Sequence, residues 1–214
     1  MGDTTEAKGA IETPPTPSGY ADPYRVEYPT ILLFLGSVAL GLLAAGLFGW
    51  LLLQVQGPAV FSVIFTFDEV GNGFQVTADL GLVAIPFVSA IVVTVIIHEL
   101  IHGLAFRWHG YAVNYGFLPS KGAFYTAAIG QYQQREHLIT VGLAPLVCIS
   151  LVAIALLFVS VPLLAITAYF VLILNTAGSI GDLIMTWRLW RLPTHSLVYD
   201  TDITRMYVFE PTAE

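Results

Sequence analysis

Long stretches without a charged side chain dominate the pattern of apolar and polar positions along this chain. The first is Ile31–Leu53, and further apolar runs cover about residues 80–106, 138–159 and 163–187. Each run is close to or longer than the roughly 20 residues that a helix needs to cross a bilayer. Pro162 separates the last two runs, because proline disrupts a helix interior. The pattern predicts an all-α membrane protein, a bundle of four transmembrane helices.

Two connecting segments carry the turn residues of short β-hairpins. Gly71-Asn72-Gly73 lies between residues 67–70 and 74–77, and this composition is typical of a hairpin turn. The second candidate covers residues 111–129, where tyrosine, phenylalanine and valine surround a turn at 118–122 that contains proline and glycine. We therefore expect short β-hairpin segments in the loops of the bundle.

The two ends of the chain lack long apolar runs. Residues 1–29 include the proline-rich stretch 12–19, which has almost no apolar content, so this segment is predicted to be a disordered N-terminal tail. Residues 30–190 form the predicted transmembrane domain, and residues 191–214 form a C-terminal tail.

The distribution of cations predicts how the bundle is oriented. Lysine and arginine occur before the first run, within the 107–137 segment and after the fourth run, whereas residues 56–79 and the turn at Pro162 contain none. Because cytoplasmic loops carry an excess of these residues, both termini and the 107–137 segment are predicted to be cytoplasmic. The chain is expected to be a multi-pass protein of the cell membrane.

Composition supports the membrane class and excludes others. The chain of 214 residues is 56% hydrophobic and only 11% charged, whereas soluble domains carry about 25% charged residues. Its 15 acidic residues outnumber 8 lysines and arginines, so nucleic acid is not an expected partner. The single cysteine, Cys148, excludes an intramolecular disulfide.

The most informative polar residues lie inside the second apolar run, in the stretch His98-Glu99-Leu100-Ile101-His102. On a helix, histidines four residues apart share one face and can bind one metal ion. Glu99 lies about 100° around the helix from His98, where it can accept a proton from a water that zinc activates. Charged side chains cost about 2.5–3.5 kcal/mol each in a membrane span, and a bound metal offsets that cost. The alternative is a pair of buried histidines hydrogen-bonded to other helices.

A catalytic zinc ion needs a third protein ligand in addition to two histidines. The sequence offers five candidates: Asp182, Glu136, His109, His137 and Asp79. Asp182 is preferred because it lies in the fourth run at nearly the same predicted depth as His98. His109 and His137 flank the loop, where interfacial positions are expected, and Asp79 falls on the opposite side of the predicted topology.

Asn175 is a candidate for substrate positioning, because it precedes Asp182 by seven residues and lies on the same helix face. Its amide could hydrogen-bond a substrate carbonyl or the developing oxyanion. A helix-to-helix hydrogen bond without a chemical role is equally compatible with the sequence. Gly178 and Gly181 permit another helix to approach closely.

The His98–His102 motif in one span and Asn175 with Asp182 in a later span resemble the intramembrane zinc metalloproteases of the site-2 protease type. More closely, the chain resembles the putative zincin peptidases, a family catalogued as a domain of unknown function. The site-2 group usually has Asn-x-x-Pro followed by Leu-Asp-Gly, whereas Gly178 and Gly181-Asp182-Leu183 stand here. The resemblance implies a Zn²⁺ cofactor, a ligand role for Asp182 and cleavage of peptide bonds.

The resemblance also implies a use for the 107–137 segment. A peptide must be extended to be cleaved, and an edge strand near the zinc would hold it by strand addition. Residues 111–118 or 123–129 could supply that edge. The alternative is an interfacial hairpin whose aromatic side chains lie at the level of the lipid headgroups.

The predicted function is that of a zinc-dependent intramembrane endopeptidase. Glu99 is the expected general base, and a membrane protein or peptide is cleaved near the cytoplasmic leaflet. One alternative keeps the site but hydrolyses another bond, such as a lipid-linked amide. The other is a non-catalytic protein that binds or transports metal, which would need a polar path, although Ser37 is the only polar side chain in Ile31–Leu53.

Overall fold

The computed structural model describes residues 13–27, 30–119, 123–203 and 205–212. Its long helices are α1 Thr30–Gln56, α2 Leu80–Trp108, α3 Arg135–Leu157, α4 Pro162–Gly178 and α5 Ile180–Trp190, and a short 3₁₀ helix covers Pro58–Val63. Its strands are β1 Tyr24–Val26, β2 Phe65–Val70, β3 Gly73–Ala78, β4 Asn114–Leu118, β5 Ala123–Ala127, β6 Tyr132–Gln134, β7 Leu197–Asp202 and β8 Arg205–Phe209. The protein is therefore mostly helical, with short strands before, between and after the helices.

Three helices, α1, α2 and α3, are long and apolar enough to cross a membrane. They coincide with the first three predicted runs to within a few residues. Helices α4 and α5 meet at a bend of 45° and supply a fourth span if the pair is counted as one. The fourth run is thus two helices rather than the continuous span predicted over residues 163–187.

Hydrogen bonds from side chains accommodate the break between α4 and α5. Ser179 donates both its backbone N–H and its hydroxyl to the carbonyl of Asn175, over 3.0 and 2.8 Å. The hydroxyl of Ser37 on α1 donates to the carbonyl of Ala177 at 2.7 Å. Carbonyl groups near the bend are therefore satisfied inside an apolar bundle, where an unpaired one would be costly. The one polar side chain of Ile31–Leu53 is used for this purpose.

Helix α4 lies at the centre of the bundle, in contact with α1, α2 and α3. Its buried positions include Ala165, Ile166 and Leu172, all at most 1% exposed. The outer helices instead expose large apolar side chains, such as Leu42 and Leu47 of α1. Helices that are apolar all round, with one side buried and the other exposed, are compatible with a multi-pass membrane protein.

Both predicted hairpins are present. Strands β2 and β3 pair antiparallel around Gly71-Asn72, and Gly71 has the positive φ of 62° that suits the first position of a two-residue turn. Strands β4 and β5 pair from Asn114 opposite Ala127 to Leu118 opposite Ala123. Of the turn predicted at residues 118–122, residues 120–122 lie outside the described residues.

A four-stranded antiparallel sheet with the order β1-β8-β7-β6 joins three distant parts of the chain. Strand β1 belongs to the segment predicted to be a disordered tail, and β7 and β8 belong to the predicted C-terminal tail, so the structure differs from the sequence prediction at these strands. Val198 and Val208 are at most 2% exposed and pack with the ends of α2, α3 and α5. The prediction of disorder for residues 1–12 falls outside the described residues.

Candidate metal centre

Helix α2 and helix α5 bring three of the predicted site residues together. His98 Nε2 lies 3.2 Å from Asp182 Oδ2, and His102 Nε2 lies 3.4 Å from Asp182 Oδ1. The two histidine Nε2 atoms are 3.1 Å apart. One ligand atom from each residue lies within 4.8 Å of the others, so this group could hold a metal ion.

Hydrogen bonds behind the two histidines determine which ring nitrogens face this point. His98 Nδ1 donates to Asn175 Oδ1 at 3.2 Å, and His102 Nδ1 donates to the carbonyl of Val141 at 3.0 Å. Protonation at Nδ1 leaves an Nε2 lone pair on each ring. Two lone pairs and a carboxylate then converge on one point, and a cation bound there would satisfy all three. This donor set, with each histidine held by a second partner, suits a zinc ion.

Close packing between α3 and α5 positions Asp182. A Cβ atom at Gly142 of α3 would lie 2.7 Å from Thr186 Oγ1 and 3.6 Å from the Asp182 carbonyl. The absence of a side chain at Gly142 therefore allows α5 to approach α3 at the turn that carries Asp182. At its far end, α5 is held by Arg135, whose guanidinium donates to the carbonyls of Leu189 and Trp190 over 2.6 and 2.9 Å.

Two cavities flank the group. The first, called here the Asp182 cavity, has a volume of about 290 Å³ and is lined by His102, Asp182, residues 125–127 of β5 and Asp200. The second, the Glu99 cavity, has a volume of about 330 Å³ and is lined by His98, Glu99, Phe124 and other apolar side chains. Glu99 and His98 therefore line one cavity, and His102 and Asp182 line the other. Strand β5 borders both cavities.

The β4–β5 hairpin is attached directly to the motif on α2. The Thr126 hydroxyl donates to the backbone carbonyl of Glu99 at 3.0 Å. The phenol of Tyr115 packs so closely on α2 that a Cβ atom at Gly103 would lie 1.9 Å from its oxygen. Gly103, one residue after the motif, is thus required for the hairpin to reach its place, and sequence reasoning did not single it out.

The other third-ligand candidates lie elsewhere. Asp79 caps the N-terminus of α2 by accepting from the N–H groups of Gly81 and Leu82, about 28 Å along the helix from His98. Glu136 pairs with Arg135 at 2.9 Å. His109 and His137 stack on each other with ring centroids 4.1 Å apart. Among these candidates and within the described residues, only Asp182 reaches the two histidines.

Asn175 lies behind the metal group rather than in a cavity. It is fully buried, and its Oδ1 accepts from His98. Its amide nitrogen faces the carbonyls of Pro145 and Leu146 on α3 at 3.4 and 3.5 Å. Of the two interpretations that the sequence allowed, this placement favours contacts within the protein over a group presented to substrate.

Asp200 is an acidic residue of the Asp182 cavity that sequence reasoning missed. Burial raises the pKa of its carboxyl to about 6, and the nearby charge of Asp202 adds to the increase. The hydrogen bond from Gln133 Nε2, at 2.9 Å, acts in the opposite direction. Asp200 lies on β7, a strand within the segment that the sequence pattern predicted to be a C-terminal tail.

A family model described as "Putative zincin peptidase" matches residues 91–197, half of the chain, from within α2 to the start of β7. The matched region contains His98, Glu99, His102 and Asp182. No curated protein and no solved structure matches the chain.

Proposed function

We propose, given that this chain belongs to the putative zincin peptidase family, that it is a zinc-dependent metallopeptidase which cleaves membrane-associated polypeptides near the cytoplasmic leaflet. The observation that carries the proposal is the convergence of two Nε2 lone pairs and a carboxylate within an apolar helical bundle. Groups of this kind are rare in membrane spans unless they have a function.

In this proposal His98, His102 and Asp182 are the zinc ligands. The bound metal would act as a Lewis acid that activates water and polarises the scissile carbonyl. Asn175 and the Val141 carbonyl orient the two imidazoles by accepting from Nδ1. Such partners of metal-bound histidines both fix the tautomer and raise the basicity of the ligand.

Glu99 is the proposed general base. It follows His98 on α2 and lines the cavity that His98 also lines. Its carboxylate would accept the proton of the attacking water and return it to the leaving amine. The bond from Thr126 to the Glu99 carbonyl keeps this turn of α2 against β5.

Strand β5 is the proposed docking edge for substrate. Among the described strands it pairs only with β4, so its other edge is unpaired. Phe124 borders the Glu99 cavity, and residues 125–127 border the Asp182 cavity. A substrate segment added to this edge would be extended, and its carbonyls would pass between the base and the metal ligands.

The sheet supports the proposed orientation with both termini in the cytoplasm. It joins β1, β6, β7 and β8, so the segments before α1, before α3 and after α5 all lie at one end of the bundle. The hairpin β2–β3, which has no lysine or arginine, connects the opposite ends of α1 and α2. The asymmetry of the cations then supports a cytoplasmic position for the sheet.

Replacement of Glu99 by glutamine tests the proposal. The assay measures cleavage of a membrane-anchored model substrate in liposomes together with the zinc content of the same preparation. We expect Glu99→Gln to keep its zinc and to lose about 10²–10⁴-fold in cleavage rate, the usual contribution of a general base. Glu69→Gln, on the exposed hairpin β2–β3, is the matched control and should cleave like the wild type. Cleavage that survives in Glu99→Gln would rule out this base.

A further inference from the structure

A third cavity lies away from the metal group, between strand β1 and the end of α5. Its volume is about 590 Å³. Residues 24–27 form one wall and the C-terminal half of α5 with the following turn forms the other, and Val208 of β8 closes it. Three arginines line it: Arg25, Arg188 and Arg191. We call it the arginine cavity.

Among the residues that the structure describes, no ion pair neutralises the guanidinium groups of this cavity. Within the described part of the chain, Arg135 pairs with Glu136 and Arg205 pairs with Asp202, whereas no carboxylate lies within ion-pair distance of the three cavity arginines. The cavity contains one acidic residue, Glu27, so the site has an excess of positive charge.

Two of the three arginines are held in place by neutral partners. Arg188 donates through one terminal nitrogen to the backbone carbonyl of Glu27 at 2.7 Å. Arg191 stacks over the Trp187 ring, 4.7 Å from the ring centroid. Both arrangements fix a guanidinium without consuming its charge or all of its N–H groups. A planar guanidinium with free donors is well suited to a phosphate group.

The position of the cavity indicates which phosphate it meets. Helix α1 begins at Thr30, a few residues after β1, and packs against α5 at Gly36 and Ile180. Trp187 and Trp190 are 53% and 71% exposed at the end of α5. Exposed tryptophans at the end of a spanning helix are typical of the lipid headgroup level.

We propose that the arginine cavity binds the phosphate of an anionic phospholipid of the cytoplasmic leaflet. Its apolar walls, which include Val26, Met185 and Leu192, suit the glycerol and upper acyl carbons, and the exposed face of α1 at Ile31 and Leu32 offers a path for the chains. Basic pockets between helices on the cytoplasmic side bind lipid headgroups by the same chemistry. The inference shares the membrane orientation with the proposed function, but zinc and cleavage play no part in it.

Thermal unfolding of the purified full-length chain in detergent tests the inference. Phosphatidylglycerol should raise the unfolding midpoint more than an equal mole fraction of phosphatidylcholine, because a ligand that binds only the folded state stabilises it. The double variant Arg25→Gln/Arg191→Gln should lose most of this difference in midpoint. Its apparent affinity for phosphatidylglycerol should fall by about tenfold or more. Arg107→Gln is the matched control, because Arg107 lies in the last turn of α2 and its guanidinium contacts the Tyr115 ring outside the arginine cavity.

Three results would overturn the inference. One is an equal loss in Arg107→Gln, which would show diffuse attraction to a charged surface. Another is an equal rise produced by inorganic phosphate in lipid-free detergent, which would identify a soluble ligand. The third is an unchanged response in the double variant. If that variant does not fold, the single variant Arg25→Gln replaces it, and native mass spectrometry then counts the bound phosphatidylglycerol, which should fall relative to Arg107→Gln.

Discussion

Replacing Asn175 with leucine would remove the hydrogen-bond acceptor behind His98 while keeping a side chain of similar size. The Oδ1 atom lies 3.2 Å from His98 Nδ1, and Asn175 is fully buried, so water has no access to replace it. The Nδ1–H would then be buried without a partner, or the ring would change tautomer and turn a proton toward the metal position. Both consequences weaken zinc binding.

The expected loss of zinc affinity is about 10- to 100-fold, the usual effect of removing such a partner of a histidine ligand. This corresponds to about 1.4–2.8 kcal/mol. The fold should be affected less, because the bonds of the Asn175 amide to the carbonyls of α3 are 3.4–3.5 Å long and weak. A competition titration with a chromophoric chelator measures the affinity on monodisperse protein.

The control is Asn175→Asp, which keeps an oxygen facing His98 and should retain zinc affinity close to that of the wild type. If Asn175→Leu binds zinc as tightly as the wild type, the hydrogen bond does not orient the ligand, and the explanation of the tautomers would be wrong. If both variants lose zinc equally, the contribution of Asn175 comes from the contacts of its amide nitrogen with α3, and the hydrogen bond to His98 does not explain the zinc affinity.

Two further predictions concern the surroundings of the site. Asp200→Asn should raise the unfolding midpoint at pH 8, because it removes a penalty of up to about 3 kcal/mol. With the pKa of Asp200 raised to about 6, the folded wild-type protein loses stability as the pH rises from about 4 through 6. The difference in midpoint between the two proteins should vanish near pH 4, and a difference independent of pH would contradict this prediction. Gly103→Ala should displace Tyr115 and lower the cleavage rate while zinc is retained, since the new Cβ would overlap the phenol. Gly46→Ala, a helical glycine with open space at this position, is its control, and equal activity of the two variants would show that the hairpin does not position the substrate.

Local patterns were sufficient to predict much of this molecule. A long apolar run predicts a helix because each residue satisfies its backbone within the same segment, and this was enough to locate α1, α2 and α3. The spacing of His98 and His102 is a property of one helix, so it could be interpreted without knowing the neighbours. Asp182 could be preferred as the third metal ligand because a carboxylate within an apolar run is energetically costly and usually has a function.

Features that depend on distant pairing were missed. The sheet β1-β8-β7-β6 joins residues about 180 positions apart, and no local pattern encodes that pairing. A signal existed in residues 205–209, where large apolar and aromatic side chains are typical of a strand. The break after Gly178 also had a signal, because glycine weakens a helix interior.

The role of Asn175 could not be decided from the sequence for a similar reason. The spacing to Asp182 predicts a shared face only on one continuous helix, whereas Asn175 lies on α4 and Asp182 lies on α5 beyond the bend. The group that Asn175 meets therefore depends on how α2 and α3 pack around α4. That packing depends on shape, including the close approach at Gly142, and is not visible in the order of apolar residues.

The zinc content of the purified protein tests whether His98, His102 and Asp182 form a zinc site. Wild-type protein, His98→Ala and Asp182→Ala are prepared in parallel and their zinc is measured by elemental analysis, with Glu136→Ala as the control. We expect about one zinc ion per chain in the wild type and in the control, and loss of zinc in both site variants. Full zinc occupancy in Asp182→Ala, in a chain that is still folded, would contradict it and show that another residue completes the site.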